Sequence, residues 1–180
     1  MKKWVGLVIV ALLAAAAGYW VWVTFFPGAE AVIKKRIKTL AQTASFGANE
    51  PPLARLANAQ KIGSFVTTEV EVTVDVPGRS QQSFSGREEV TQAVLAARSS
   101  LNGLNVEFLD ILVTVAPGGQ TAVANLTARA RIPGERDFYI QELKFTLTKV
   151  DGAWLISKIE TVKTLSQLSV APALPVAGPL

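Results

Sequence analysis

Apolar residues run without a break from Trp4 to Phe26, WVGLVIVALLAAAAGYWVWVTFF, between Lys2-Lys3 and Pro27-Gly28. At helical rise this run reaches roughly 34 Å, enough to cross a hydrocarbon core of about 30 Å. It predicts one transmembrane helix within residues 1–28. A cleavable secretory signal ending near Ala14 to Gly18 is the alternative. Cleavage there would leave Tyr19, Trp20, Trp22, Phe25 and Phe26 as an exposed apolar tag, so an uncleaved signal anchor is expected. Trp4 at one end and Tyr19, Trp20 and Trp22 at the other fit the aromatic belts of the two membrane interfaces.

Beyond the span the apolar period changes three times. From Ala29 to about Phe46, Ile33, Ile37, Leu40, Ala41 and Ala44 form one stripe, with Lys34, Lys35, Lys38 and Gln42 off it, predicting an amphipathic helix. Asn49-Glu50-Pro51-Pro52 reads as a cap and first turn for a second helix, with Leu53, Leu56, Ala57 and Gln60 along it. Val70, Val72, Val74 and Val76 then alternate with polar residues, a half-buried strand that turns at Pro77-Gly78 and returns through Gln81–Ser85. Ser85-Gly86-Arg87-Glu88 matches a capping box opening a third helix, whose apolar side is Val90, Val94, Leu95 and Leu101 and whose end is Asn102-Gly103.

Four strands follow: Asn105 to Ala116, Thr121 to Ile132, Asp137 to Val150, and Ala153 to about Leu165. A loop at Pro117-Gly118-Gly119-Gln120 would put Leu109, Ile111, Val113 and Val115 on one face with Ala122, Ala124, Leu126, Ala128 and Ala130. Those alanines leave room for a close helix or for a cavity. Asp151-Gly152 marks the final hairpin turn. The element order predicts an α+β cone, in which a curved antiparallel sheet wraps around three helices behind the transmembrane segment. One domain over residues 29–165 is expected, followed by an extended Pro/Ala-rich tail at 166–180.

Charge changes the picture at one place. The chain has 18 Lys and Arg against 14 acids, yet setting aside Lys2, Lys3, Lys34, Lys35, Arg36 and Lys38 leaves 12 against 14. The basic excess therefore flanks the span, where anionic lipid head groups are the simplest partner, and nucleic acid is not expected. Lys34, Lys35, Arg36 and Lys38 are the membrane-interface candidates on the domain side. Lys2 and Lys3 favour an N-inside topology and the second cluster opposes it. Because the first cluster abuts the span and the second sits within a folded helix, export of the domain is expected, to the periplasm or exterior in a bacterium.

The inventory of reactive side chains is short. Histidine and cysteine are absent, which removes Ser-His-Asp and Cys-His catalysis, disulfides, thiolate metal sites and nearly all zinc chemistry. No metal site and no cofactor are expected. Asn125-Leu126-Thr127 matches a glycosylation sequon but lies mid-strand.

Gly86-Arg87-Glu88-Glu89-Val90 at the third helix and the closing Val150-Asp151-Gly152-Ala153-Trp154-Leu155-Ile156 hairpin resemble the nuclear-transport-factor-2-like superfamily, including its SnoaL-like members. The resemblance covers about Ala29 to Leu165 and implies the cone fold. It says little about function, because this scaffold hosts isomerases, dehydratases, cyclases, binding proteins and assembly subunits. The enzymes resembled use an Asp–His pair, which this chain lacks, or an Asp base with Tyr or protonated-acid donors. For the latter, Asp110 within Phe108-Leu109-Asp110-Ile111-Leu112 is the candidate base and Tyr139 the candidate donor. Against this, the register above places Asp110 diagonal to Arg129, as for a surface ion pair, and Tyr139 shares alternation with core residues. Trp154 and Arg87 are candidate ligand contacts, by stacking and by anion binding at a helix start; packing and solvation are their ordinary roles.

The expected function is thus a single-pass membrane protein presenting a non-catalytic binding or assembly domain for a protein partner, a second copy or a small apolar ligand. The resemblance extends to inner-membrane assembly subunits of type IV secretion systems, which place such a cone after one span. The alternative is a SnoaL-like isomerase or hydratase.

Overall fold

The computed structural model describes residues 28–75, 81–135 and 138–162. The anchor expected over Trp4 to Phe26, the turn expected at Pro77-Gly78 with Val76 before it, and the tail expected over 166–180 lie outside them. Among the described residues no helix is long and apolar enough to cross a membrane.

Helix α1, Ala29–Ala44, buries Ile33, Ile37, Leu40 and Ala41 as the period predicts. Thr43 joins them because its hydroxyl is satisfied within the helix, donating to the Thr39 carbonyl at 2.9 Å. Helix α2, Pro52–Gly63, differs from expectation at its cap and on its face. Pro51, not Asn49, is the capping residue, and the buried side is Ala59, Ile62 and Gly63. Leu53 is 82% exposed and Leu56, Ala57 and Gln60 also face outward. The cause is close approach to the third helix. A Cβ on Gly63 would stand 2.7 Å from the Thr91 hydroxyl, so the small-residue side of α2 faces inward and the leucines turn out.

Strand β1, Val66–Val74, pairs antiparallel with β2, Gln82–Ser85, and buries Val70 and Val72. Helix α3, Arg87–Ser100, begins one residue later than the capping box implied, behind Gly86 at φ 86°. Glu89 therefore occupies the third helical position, and its carboxylate, not that of Glu88, accepts from the Ser85 N–H at 2.7 Å.

Strands β3 (Asn105–Val115), β4 (Thr121–Arg131), β5 (Tyr139–Val150) and β6 (Ala153–Thr161) form an antiparallel meander. The whole sheet is a six-stranded curved open sheet in the order β2-β1-β6-β5-β4-β3. It is mixed and not purely antiparallel, since β1 lies parallel to β6. The β5–β6 turn has Asp151 at φ 49° and Gly152 at φ 81°, the two left-handed positions of a two-residue hairpin.

The β3–β4 register holds as expected at Val115–Ala122 and Val113–Ala124, then breaks at a bulge between Leu109 and Leu112. Beyond it Phe108 pairs with Ala128 and Val106 with Ala130, so Phe108 takes the inward place assigned to Leu109. Leu109, opposite Thr127, faces out. One extra residue reverses the alternation, and sequence period alone does not reveal it. Phe108 meets Phe145 edge-on with ring centroids 5.6 Å apart. Helix α1 lies against β3, and Ala122 and Ala124 belong to the same buried cluster as Ile33, Ile37 and Leu40. The alanines are thus part of the packed core under the helix and sheet.

Candidate functional site

Asp110 sits in the β3 bulge at φ 52°, a left-handed conformation that aspartate tolerates better than branched residues do. Its side chain is exposed and lines an open depression of about 310 Å³ with Leu112, Asn125, Thr127, Glu142 and Val162. The expected ion pair with Arg129 does not form. Glu107, directly opposite Arg129 in the register, takes the guanidinium, with the Arg129 Nε donating to Glu107 Oε2 at 3.1 Å and Nη2 to the same oxygen. Arg129 and Arg131 also lie over the Phe138 ring, 5.2 and 5.5 Å from its centroid.

Tyr139 pairs with Ala130 at the start of β5 and is exposed, its hydroxyl donating to Glu135 at 3.0 Å. Asp110 and Tyr139 are therefore not brought into one enclosed pocket, as a base and donor would have to be.

Trp154 is buried opposite Lys149 and packs in the core beneath the final hairpin. Arg87 donates to the Val66 carbonyl at 2.9 Å, tying the start of α3 to β1. Arg36 is likewise committed inside the domain, unlike its lysine neighbours. It donates to the Ser64 carbonyl at 2.9 Å beyond the α2 terminus and lies over the Phe65 ring at 4.9 Å, and partial burial lowers its pKa. Lys34, Lys35 and Lys38 instead share an outward groove of about 550 Å³ with Ala31, Thr39 and Gln42. Trp4, Tyr19, Trp20 and Trp22 lie outside the described residues.

A polar cluster absent from the sequence expectations joins all three helices. Arg98 is 1% exposed; its Nη1 donates to Glu50 Oε1 at 2.6 Å, its Nη2 to the Thr43 carbonyl, and its guanidinium lies 4.8 Å from the Phe46 ring centroid. Asn58 donates to the same Glu50 oxygen at 2.7 Å. Glu50 Oε2 and Arg98 Nε are buried without a hydrogen-bond partner. One signal was legible: Arg98 continues the Val90, Val94 stripe, so a charge falls on an apolar face. Its partner was not, because Glu50 lies 48 residues away in the chain. A permanently charged arginine moves no proton, so this cluster orients helices and offers no acid–base pair. Among the described residues no group of three or more Asp, Glu, His or Cys could hold a metal ion.

No family model and no curated protein matches the sequence. Solved structures do resemble it, and the shared fold is nuclear-transport-factor-2-like. A nuclear-transport-factor-2-like protein of unknown function from Pseudomonas putida is similar at a TM-score of 0.58 and 16% identity, over 84% of this chain and 96% of that one. A candidate scytalone dehydratase from Novosphingobium aromaticivorans is similar at 0.53 and 16%, over 73% and 82%. A candidate aromatic ring hydroxylase from the same organism is similar at 0.57 and 10%, over 73% and 86%. At such identities the likeness is one of fold.

Proposed function

We propose that this chain is a single-pass membrane protein whose cone is a non-catalytic binding or assembly domain, recognising a protein partner, a second copy or a small apolar ligand at the membrane surface. The observation that carries this is the separation of Asp110 from Tyr139, both exposed, in a chain without histidine or cysteine. The inner surface between α1 and the sheet supports it, being occupied by Ile33, Ile37, Leu40, Phe108 and Phe145.

The apolar run from Trp4 to Phe26 supports attachment as a signal anchor. Lys34, Lys35 and Lys38 follow within about three helical turns of that run and share one outward face, suited to anionic head groups. Export of the domain follows from Lys2 and Lys3 abutting the span. The domain extends from residue 29 to 165, with 166–180 as a tail.

Because the chain has no cysteine, a single Gln92→Cys variant reports topology. Labelling by a membrane-impermeant maleimide in intact cells is expected, and labelling only after lysis would reverse the orientation. Affinity capture of the detergent-solubilised full chain, with identification of bound proteins and lipids, tests the binding role. A SnoaL-like isomerase or hydratase remains the competing reading through the fold likeness to the candidate dehydratase. Turnover of small hydrophobic ketones or esters, abolished in both Asp110→Asn and Tyr139→Phe, would establish it in place of the binding role.

A further inference from the structure

Helix α1 carries its free cations on one side. The row Ala31, Lys35, Thr39 and the row Lys34, Lys38, Gln42 are neighbours on the helix surface, and together they wall the outward groove of about 550 Å³. The buried Ile33, Ile37, Leu40 and Ala41 lie on the other side of the helix. No acidic residue lines the groove, and Glu30, one turn before Lys34, is outside it. Arg36 is turned away to the Ser64 carbonyl and the Phe65 ring, so every cation in the groove is an ammonium group. The Thr39 hydroxyl is committed to the Lys35 carbonyl at 2.9 Å. Among the described residues none of these three lysines forms an ion pair, whereas Lys144 and Lys158 on the sheet both meet Glu160. Like charges three and four residues apart on a helix repel, so three uncompensated ammonium groups around one groove are arranged for an anion from outside the domain.

We propose that this groove is the site of a phosphomonoester head group of a membrane lipid, a reading that rests on the chain being attached to the membrane. Lysine presents a compact point charge with three rotatable donors, which suits the tetrahedral oxygens of a phosphate. The planar fork that selects carboxylates belongs to arginine, and Arg36 has spent its own on the Ser64 carbonyl. A phosphomonoester carries about −1.5 to −2 charges at pH 7 and three acceptor oxygens, a match in charge and number for three ammonium groups. A serine head group carries one net charge and an ammonium of its own, which the lysines repel. A second copy of the chain docking through this groove about a two-fold axis would bring six ammonium groups together.

Connectivity selects a lipid over a soluble phosphate ester. Residues 29–34 lie within α1 and rise about 7.5 Å, and the three steps from Phe26 to Ala29 span at most about 11 Å. Lys34 therefore stays within about 18 Å of the end of the apolar run, where head groups are held at high effective concentration.

The test uses the full chain in detergent micelles, titrated with dioleoyl phosphatidic acid, phosphatidylserine or phosphatidylcholine, with bound lipid counted by native mass spectrometry. Phosphatidic acid is expected to bind about fivefold more tightly than phosphatidylserine, and Lys34→Gln/Lys38→Gln to bring the two within about twofold. Lys61→Gln/Lys149→Gln removes the same charge from exposed positions elsewhere and is expected to keep the preference. Equal affinity of the unaltered chain for both acidic lipids, or a preference that survives Lys34→Gln/Lys38→Gln, would overturn the proposal. Displacement of the bound lipid by inorganic phosphate would overturn the lipid source and assign the groove to a soluble phosphate ester. Failure of the membrane reading has a different signature, recovery of the full chain in the soluble fraction of lysed cells without detergent.

Discussion

Replacing Arg98 by methionine removes the cation from a site that is 1% exposed while leaving its partner, Glu50, with a side chain only 10% exposed. Methionine fills much of the arginine stem, so lost packing is the smaller term and the uncompensated carboxylate the larger one. Breaking a buried pair from one side costs about 3–5 kcal/mol. Asn58 still donates to Glu50 Oε1, which puts the expected loss toward the lower end, about 3 kcal/mol. For a domain of this size that corresponds to a fall of roughly 10 °C in melting temperature. The reverse single change, Glu50→Leu, strands a buried guanidinium that keeps only the Thr43 carbonyl and the Phe46 ring, and should cost at least as much. The double variant Arg98→Met/Glu50→Leu removes both charges together and should recover most of the loss, because the desolvation of both ions is also removed. Thermal and urea unfolding of all four proteins, followed by circular dichroism, completes the double-mutant cycle. Two additive single losses, or an Arg98→Met loss below about 1 kcal/mol, would refute the assignment of this pair as the tie between the helices.

At the α2–α3 contact, Gly63→Ala should destabilise by about 1–3 kcal/mol because its Cβ would fall 2.7 Å from the Thr91 hydroxyl, and Thr91→Ala in the same chain should restore most of it, as read by urea midpoints. Asp110→Gly should be neutral or stabilising by up to about 1 kcal/mol because the bulge holds φ at 52°, whereas Asp110→Val should lower stability. Reversing Lys34, Lys35 and Lys38 to glutamate should weaken sedimentation of the domain with vesicles containing phosphatidylserine and leave neutral vesicles unaffected; equal binding to both would remove the lipid role. Glu160 is held below the usual glutamate range by hydrogen bonds from Lys158 and then Lys144. Its contribution is therefore present above the unfolded-state pKa and lost as pH falls through the lowered folded value, so Glu160→Gln should reduce the melting temperature at neutral pH and lose that difference once the pH has fallen through the folded value.

Much of the fold was legible along the chain because burial repeats locally. The 3.6-residue stripe of α1, the two-residue alternation of β1 and β4, and the Asp151-Gly152 turn each state which side must be covered without reference to distant residues. The apolar segment from Trp4 to Phe26 and the lysines that follow it are equally local, and the membrane reading rests on them. Composition alone removed thiol and imidazole chemistry.

Where two elements compete for one surface, local pattern was silent or misleading. The α2 leucines form a regular stripe, yet Gly63 and Ala59 won the inward side because close packing against Thr91 of α3 requires small residues. The bulge at Asp110 moved Leu109 outward and Phe108 inward and set Glu107, not Asp110, against Arg129. Arg98 found Glu50 across 48 residues of sequence. The chain by itself thus determined the elements, the long apolar run near the N-terminus and the absent chemistries, since these follow from residue type and short-range period. Tertiary structure decided which carboxylate meets which cation and which side of each element is buried, since those depend on distances between segments that no local period records.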